Sequence, residues 1–241
     1  MKRIFFLYIF FQISFSALGQ SNTNKYFNKI NSILLENVNP SSAIYLLEKE
    51  VGKGIQSRSN FYLHYRRNLH ESYNHLRLTV EMNWEEFQID LIEKNDSIVY
   101  RSVRHDYNKM YQNVIFNNDQ VISLVSKWNE FYNATKTLED LIQEIRLDIE
   151  FAYRCGDGAP ETETYIEIKK MAKLRQLKKL DKYCQSFSIE NQTYGVIGYE
   201  MVKLKSVKTK NILKHIKERN AEVTTCHGCI SGIIEKPFEN N

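Results

Sequence analysis

The sequence predicts an α+β fold that is mostly helical, with a small antiparallel β-meander in its N-terminal region and a stack of short antiparallel helices in its C-terminal region. Two observations predict it. The spacing of apolar residues changes from a helical period to strict alternation and back again. Gly and Pro number only 9 and 3, against 15 Tyr and 13 Phe, which favours folded, helical structure. The predicted segments are a signal peptide at 1–19, an α+β region at 20–136 and a helical region with a disulfide-tied tail at 137–241.

The N-terminus has the parts of a signal peptide. Lys2 and Arg3 give it a positive start, and residues 4–15 are almost entirely apolar. Ala17 and Gly19 place small side chains at the two positions that a signal peptidase reads, with cleavage after Gly19. A transmembrane helix needs roughly 20 apolar residues, and this run is shorter. We therefore expect an exported protein, periplasmic or secreted, without a transmembrane anchor after cleavage.

Export narrows the classes of partner. Disulfides are permitted outside the cytoplasm, whereas nucleotide cofactors and genomic DNA are not expected there. The net charge is +4, and removal of Lys2 and Arg3 leaves 4 − 2 = +2. This charge is too small to indicate a nucleic-acid or membrane partner. We therefore expect no cofactor and no nucleic-acid ligand.

The N-terminal region is expected to hold two helices followed by a sheet. Helical spacing covers residues 24–52 and is broken at Pro40. The period then becomes 2, which predicts a three-stranded antiparallel meander with one solvent-exposed face. Turns are expected at 82–84 and 94–96, and residues 62–65 are a candidate for one further strand. The three predicted strands are 75–82, 84–92 and 97–103.

The helical period returns from Val121 onward. One apolar stripe runs from Leu138 to Ala152, and that helix is expected to end in the Gly- and Pro-rich segment 155–160. Each later helix has an apolar stripe that it cannot bury alone. Stacked as antiparallel pairs, such helices would share one core, as in helical-repeat proteins. We place them near 161–173, 175–185, 189–204 and 209–219.

Three pieces of the C-terminal third form a pattern. They are Cys155-Gly156, the stretch QTYGVIGY at 192–199, and the sequence TCHGC at 225–229. In these pieces the chain resembles a group of uncharacterised secreted proteins from Bacteroidota-type bacteria, which have a HEAT-like helical segment and a terminal T-C-x-G-C. The resemblance covers about residues 150–232, and Cys184 falls outside its pattern. It implies a HEAT-like helical stack and an exported protein, and it implies no activity.

The four cysteines are expected to be structural. A redox pair at Cys226 and Cys229 would need a thioredoxin-type fold around it, and only 12 residues follow Cys229. A zinc site would usually need a second such pair. A disulfide from Cys155 to either Cys226 or Cys229 closes more than 70 residues and contributes roughly 4 kcal/mol in the chain-entropy model. We prefer this bond. Cys184 is then either a buried free thiol or the partner of the remaining cysteine.

The segment from His70 to His75 resembles the metalloprotease motif H-E-x-x-H but has one residue too many. Two histidines five positions apart on a helix point about 140° away from each other, and this segment leads into a predicted strand. We therefore interpret both histidines as surface residues near a loop. No motif in the sequence identifies a catalytic or metal-binding residue.

A basic run follows Pro160. Such a run on stacked helices is typical of a solvated face. The alternative is a cationic surface for an anionic glycan, a lipid headgroup or an acidic protein. Its central members are Lys169, Lys170, Lys173, Lys178 and Lys179.

These features favour an exported, non-enzymatic binding protein whose partner is another protein. An inhibitor or immunity protein fits this description by analogy of fold and compartment. The alternative class is an enzyme. It would be either a periplasmic thiol-disulfide oxidoreductase using Cys226 and Cys229, or an envelope hydrolase whose site the sequence does not identify.

Overall fold

The computed structural model describes residues 22–52, 59–107, 110–202 and 206–239. The predicted signal peptide at 1–19 lies outside them. The described residues form eight helices and seven strands, so the predicted α+β class is confirmed. Within these residues, no helix combines the length and the apolar character that crossing a bilayer requires.

The chain divides into two compact units. The first contains Met1–His64 and Leu76–Phe116, and the second contains Tyr65–His75 and Asn117–Asn241. The tip of the first β-hairpin therefore belongs to the second unit. The division predicted from the sequence, between 136 and 137, falls inside the second unit.

Two helices and a five-stranded antiparallel sheet precede residue 117, with the strands hydrogen-bonded in the order β1-β2-β3-β4-β5. The predicted meander is confirmed and extended, since β1 is longer than the suggested strand at 62–65. Strand β5 follows the predicted meander and had no alternating signal. The elements are α1 (22–36), α2 (Pro40–Val51), β1 (Ser59–His70), β2 (Tyr73–Met82), β3 (Glu85–Lys94), β4 (Ser97–His105) and β5 (Gln112–Phe116).

Two tight turns set the register of the central strands. Asn83 and Trp84 join β2 to β3, and Asn95 and Asp96 join β3 to β4; all four residues have positive φ, between 49° and 72°. Two-residue turns with positive φ at both positions match the right-handed twist of the strands. The turns predicted at these positions are confirmed.

The first unit buries both the apolar and much of the polar side of its strands. Apolar residues of α1 and α2 pack against alternate residues of β2, β3 and β4 in one core. The expected solvent-exposed face is wrong, because Thr79, Gln88 and Asp90 are buried. Arg77 Nε donates to Asp90 Oδ1 at 2.8 Å, so opposite charges on neighbouring strands compensate each other inside the fold. The alternating pattern shows which residues share a face but not whether that face is wet.

The second unit is built around a buried helix, α7. Its side chains are buried on nearly all sides, and α6 lies against Gly195 and Gly198. A Cβ atom at these positions would come within 2.7 Å of Cys184 Sγ and 2.5 Å of Leu180 Cδ2 respectively, so only glycine permits this close approach. The elements are α3 (Asn118–Tyr132), α4 (Leu138–Ile145), α5 (Glu163–Lys173), α6 (Leu177–Cys184), α7 (Ile189–Val202), α8 (Val207–Arg219), β6 (Val223–His227) and β7 (Ile230–Glu235).

One prediction for the C-terminal half is wrong. Helix α4 ends at Ile145 rather than continuing through Ala152. The chain then runs extended beside β6, where Phe151 N donates to Thr224 O at 2.7 Å. The segment expected to be a tail forms the β6–β7 hairpin. Helices α5, α6 and α7 do pack together, but the strand pairing around them differs from a simple helical stack, and a HEAT-like stack is not confirmed.

Candidate functional site

The second unit contains a cavity of about 580 Å³. It opens beside the tip of the β1–β2 hairpin, one face of α3 and the first half of α8. The lining combines one buried histidine, two acidic and two basic side chains, an amide and two apolar side chains. These residues are His70, Glu71, Lys127, Glu130, Phe131, Lys208, Asn211 and Ile212.

Local interactions fix each wall of the cavity. Glu71 occupies the hairpin turn with φ 48°, and Asn68 Nδ2 donates to its carbonyl oxygen at 2.8 Å. Helix α3 starts where the Asn117 side chain accepts from Gln120 N. Helix α8 starts where Ser206 accepts from Thr209 N. These caps satisfy backbone amides that have no partner inside a helix, and they set where Lys127 and Lys208 stand.

His70 is the buried polar residue of the cavity. Its exposure is 2%, and its ring contacts those of Trp128, Phe131 and Tyr132 at centroid distances of 5.5 to 5.9 Å. Burial lowers the pKa of His70 to about 4, with Glu71 opposing the shift and the nearby His215 and Arg219 contributing to it. The imidazole is therefore neutral at neutral pH. Its buried Nδ1 has no hydrogen-bond partner among the described residues.

A second histidine, His215, lies next to His70. The rings of His70 and His215 are 5.8 Å apart, and burial lowers the pKa of His215 as well. Its Nε2 is also buried without a partner in the described part of the chain. Buried nitrogen atoms normally find a partner, so the two imidazoles leave unused hydrogen-bonding capacity next to the cavity.

His70 and His75 lie close to the β1–β2 turn, as expected, but the interpretation that they are surface residues is wrong. Both are buried, at 2% and 1% exposure, and they lie at the end of β1 and the start of β2. The His75 ring packs edge-on against Tyr65 at 5.2 Å. The apolar residues around them are distant in sequence, so the local pattern did not reveal their burial.

The charges around the cavity are unevenly distributed. Lys127 Nζ lies 2.5 Å from Glu71 Oε2, and both side chains are about half exposed. The hydrogen bond to Glu71 raises the pKa of Lys127. Glu130 and Lys208 form no salt bridge with any residue in the described ranges. The hairpin and α3 thus contribute two acids and one base, for a net charge of 1 − 2 = −1, and α8 contributes Lys208, for +1.

A buried ionic network holds the elements around the cavity in place. The guanidinium of Arg67 binds both carboxylate oxygens of Glu190. Burial by itself raises the pKa of Glu190, but the Arg67 charge outweighs it and keeps the pKa below its ordinary value. Arg219, at the end of α8, donates to Leu69 O at 2.6 Å and to Gln192 Oε1 at 2.5 Å. The hairpin, α7 and α8 are thereby tied together.

The preferred disulfide from Cys155 is present, and its partner is Cys226 rather than Cys229. Cys155 is bonded to Cys226, with a Cα–Cα distance of 5.5 Å, and Cys226 and Cys229 are not bonded to each other. Cys184 is a buried free thiol whose pKa is raised by burial, and Cys229 is an exposed free thiol. Glu150 lies within 4.8 Å of the sulfurs of Cys155 and Cys226, but both sulfurs are engaged in the disulfide.

The lysines predicted as an anionic-ligand surface lie on α5 and α6, outside the cavity lining. Lys169 lies 2.5 Å from Glu161 and sits over the ring of Tyr165. The other four, Lys170, Lys173, Lys178 and Lys179, are exposed. Exposure is compatible both with a solvated face and with a surface for an anionic ligand.

Apart from His70, Glu71 and Lys208, which belongs to the extension of the basic run, sequence reasoning missed the residues that line the cavity. They come from three segments that are separated by more than fifty residues each, and none lies in a motif. The chain matches no protein-family model, no curated protein and no solved structure.

Proposed function

We propose that the protein is a non-enzymatic binding protein that works in the periplasm or after secretion, and that its ligand binds in the His70 cavity. The observation that carries the proposal is the combination of an open cavity with a buried histidine whose Nδ1 has no partner. Small-molecule sites are concave and use a few polar groups to orient the ligand. This cavity is lined mostly by polar and charged side chains, and its apolar part consists of Phe131 and Ile212.

The chemistry of the lining favours binding over catalysis. A general base works best with a pKa near the operating pH, whereas His70 has a pKa of about 4 and is a weak base. Among the lining residues there is no Ser, Thr or Cys that His70 would activate as a nucleophile. Glu71 is engaged by Lys127. The set suits recognition of a ligand rather than its conversion.

The compartment is supported by the Cys155–Cys226 disulfide, because such bonds persist mainly in oxidising environments. The N-terminal signal pattern and the resemblance to secreted Bacteroidota-type proteins point in the same direction. A protein partner would use the cavity by inserting a side chain or a chain end, as an inhibitor or immunity protein receives its target. An anionic glycan or headgroup is the alternative partner, and it would use the lysines of α5 and α6.

The test is ligand binding followed by NMR of the histidine Cε1–H signals, with a panel of amino acids, short peptides, monosaccharides and sugar phosphates. We expect at least one compound to shift the His70 and His215 signals. Asn211→Trp should fill the cavity from the exposed face of α8 and abolish the shift. Lys214→Trp, on the same helix but outside the lining, should leave it unchanged. Equal shifts in both variants, or turnover of the bound compound, would contradict the proposal.

A further inference from the structure

We infer that the His70 cavity takes a zwitterionic ligand, namely an α-amino acid or short peptide with free ends and an apolar side chain. This inference rests on the proposed function and adds the chemical class of the ligand. Three properties of the lining carry it: the separation of charge between two walls, the apolar surface between them, and the neutral imidazole at the base.

The charge separation selects against simple anions and cations. Lys127 forms its salt bridge with Glu71, at 2.5 Å. Glu130 forms no salt bridge within the described residues, although its charge also raises the pKa of Lys127, so the α3 side of the cavity has an excess of negative charge. Lys208 is the unpaired charge on the α8 wall. A ligand with only a negative charge would satisfy Lys208 but face Glu130. A ligand that carries both an ammonium and a carboxylate satisfies both walls, because its two charges complement theirs.

The apolar part of the lining indicates that the ligand has an apolar side chain. Phe131 has 36% of its surface exposed, which is high for a ring whose other face packs on Tyr132 and His215. Ile212 is half-buried on the facing helix. An apolar or aromatic side chain between them would remove this surface from water.

The base of the cavity is uncharged, which also fits. His70 lines the cavity and is neutral at neutral pH, so it repels neither charge of the ligand. The cavity volume of about 580 Å³ lies within the range of roughly 300–1,000 Å³ that small-molecule sites occupy.

The test compares three related ligands by isothermal titration calorimetry. They are L-phenylalanine, N-acetyl-L-phenylalanine, which lacks the ammonium, and L-phenylalaninamide, which lacks the carboxylate. The dipeptide L-leucyl-L-phenylalanine and its two blocked forms provide a second set. We expect each blocked form to bind about two- to fivefold more weakly than its zwitterion, the effect of one exposed ion pair.

Two variants assign the charges. Lys208→Gln should abolish the difference between the carboxylate and the amide but keep the difference between the free and the acetylated amine. Glu130→Gln should do the reverse. Lys210→Gln, an exposed residue of α8 outside the lining, is the matched control and should change neither ratio.

The outcomes separate the two proposals. If an N-acetylated form binds as tightly as the zwitterion, or if both variants leave the ratios unchanged, the zwitterion inference is wrong. If no phenylalanine compound binds while another ligand shifts His70 in a manner that Asn211→Trp abolishes, the inference is wrong and the binding function stands. If Asn211→Trp affects no ligand, the proposed function fails as well.

Discussion

Both units contain buried side-chain atoms without a described hydrogen-bond partner, and they differ in what surrounds those atoms. In the first unit, Arg77 and Asp90 lie on neighbouring strands and compensate each other at 2.8 Å. Ser102 Oγ of the same unit is buried on β4 without a described partner. In the second unit, the Arg67–Glu190 pair is compensated in the same way. His70 and His215 each keep a buried nitrogen without a described partner, and His70 also lines the cavity. A compensated polar group serves the fold, whereas an unsatisfied one has a cost that the fold does not recover. The presence of a cavity beside unsatisfied nitrogen atoms directs attention to the histidine cluster as a place where a ligand would bind.

The largest expected effect comes from breaking a compensated pair. Arg67→Met would leave the Glu190 carboxylate buried without its cation, and removal of one partner of such a pair costs roughly 3–5 kcal/mol. Urea unfolding, followed by the fluorescence of buried Trp128, measures the loss in the second unit. Glu218→Gln, which removes a surface pair with Lys214 at 3.6 Å, is the control and should cost less than about 1 kcal/mol. Equal losses of unfolding free energy in the two variants would mean that the buried pair contributes no more to stability than the surface pair.

Removal of the disulfide should have the next largest effect. In a Cys155→Ser, Cys226→Ser double variant, the unfolded chain regains the freedom of a loop with a sequence separation of 71. The expected cost is about 2–4 kcal/mol, read from the urea midpoint. Cys184→Ala, which removes a buried thiol outside the bond, tests whether cysteine burial alone matters. The disulfide would lose its assigned role if reduction left the midpoint unchanged.

Acidification should expose the contrast between the units. The folded-state pKa of His70, about 4, lies below its unfolded value near 6.5, so the folded protein binds fewer protons. Its contribution to stability is therefore complete above pH 6.5 and is lost as the pH falls from 6.5 toward 4, by roughly 3 kcal/mol. The lowered pKa of His215 acts in the same direction.

The groups that face His70 set the size of this effect. Glu71 opposes it, whereas Arg219, Lys127 and His215 reinforce it. His70→Phe keeps a ring in the aromatic cluster and removes the titrating group, so its unfolding free energy should vary less between pH 6.5 and 4. Parallel curves for the wild type and this variant would contradict the assignment of the acid sensitivity to His70.

The smallest expected effect concerns the exposed thiol. Cys229→Ser should change neither stability nor any thiol-disulfide activity, since Cys229 is unbonded and Cys226 is held by Cys155. Insulin reduction measures the activity, with the Cys226→Ser variant as the comparison. Activity that both substitutions abolish would instead support the oxidoreductase.

The sequence predicts the parts of the fold that depend on neighbouring residues. The strands of the meander follow from alternation, and the bounds of α5 to α8 follow from apolar stripes, each within two residues. The end of α4 at Ile145 is not local, because Phe151 pairs with Thr224, which is more than seventy positions away. Burial of the polar sheet face is also not local, since Arg77 needs Asp90 on another strand.

The candidate site could not be predicted from the sequence either, because its residues are distant in the chain and are brought together by the fold. Glu130 and Lys208 look like ordinary surface charges on amphipathic helices, and nothing in their neighbourhoods distinguishes them from other residues of those helices. Their significance comes from facing one cavity together with His70. The preferred bond from Cys155 to the Cys226–Cys229 segment was predictable, because the stabilisation expected from a disulfide depends on the number of residues in the loop that it closes. The choice of Cys226 needed the geometry of β6.

The close contact between α6 and Gly195 makes it possible to measure how often the second unit opens. The Cys184 thiol lies in this contact, where burial raises its pKa, whereas Cys229 stands in solvent. A thiol reagent should therefore modify Cys229 at once and Cys184 only when α6 and α7 separate. The rate of the slow phase would then report how often the centre of the second unit opens, and the native cysteine serves as the probe.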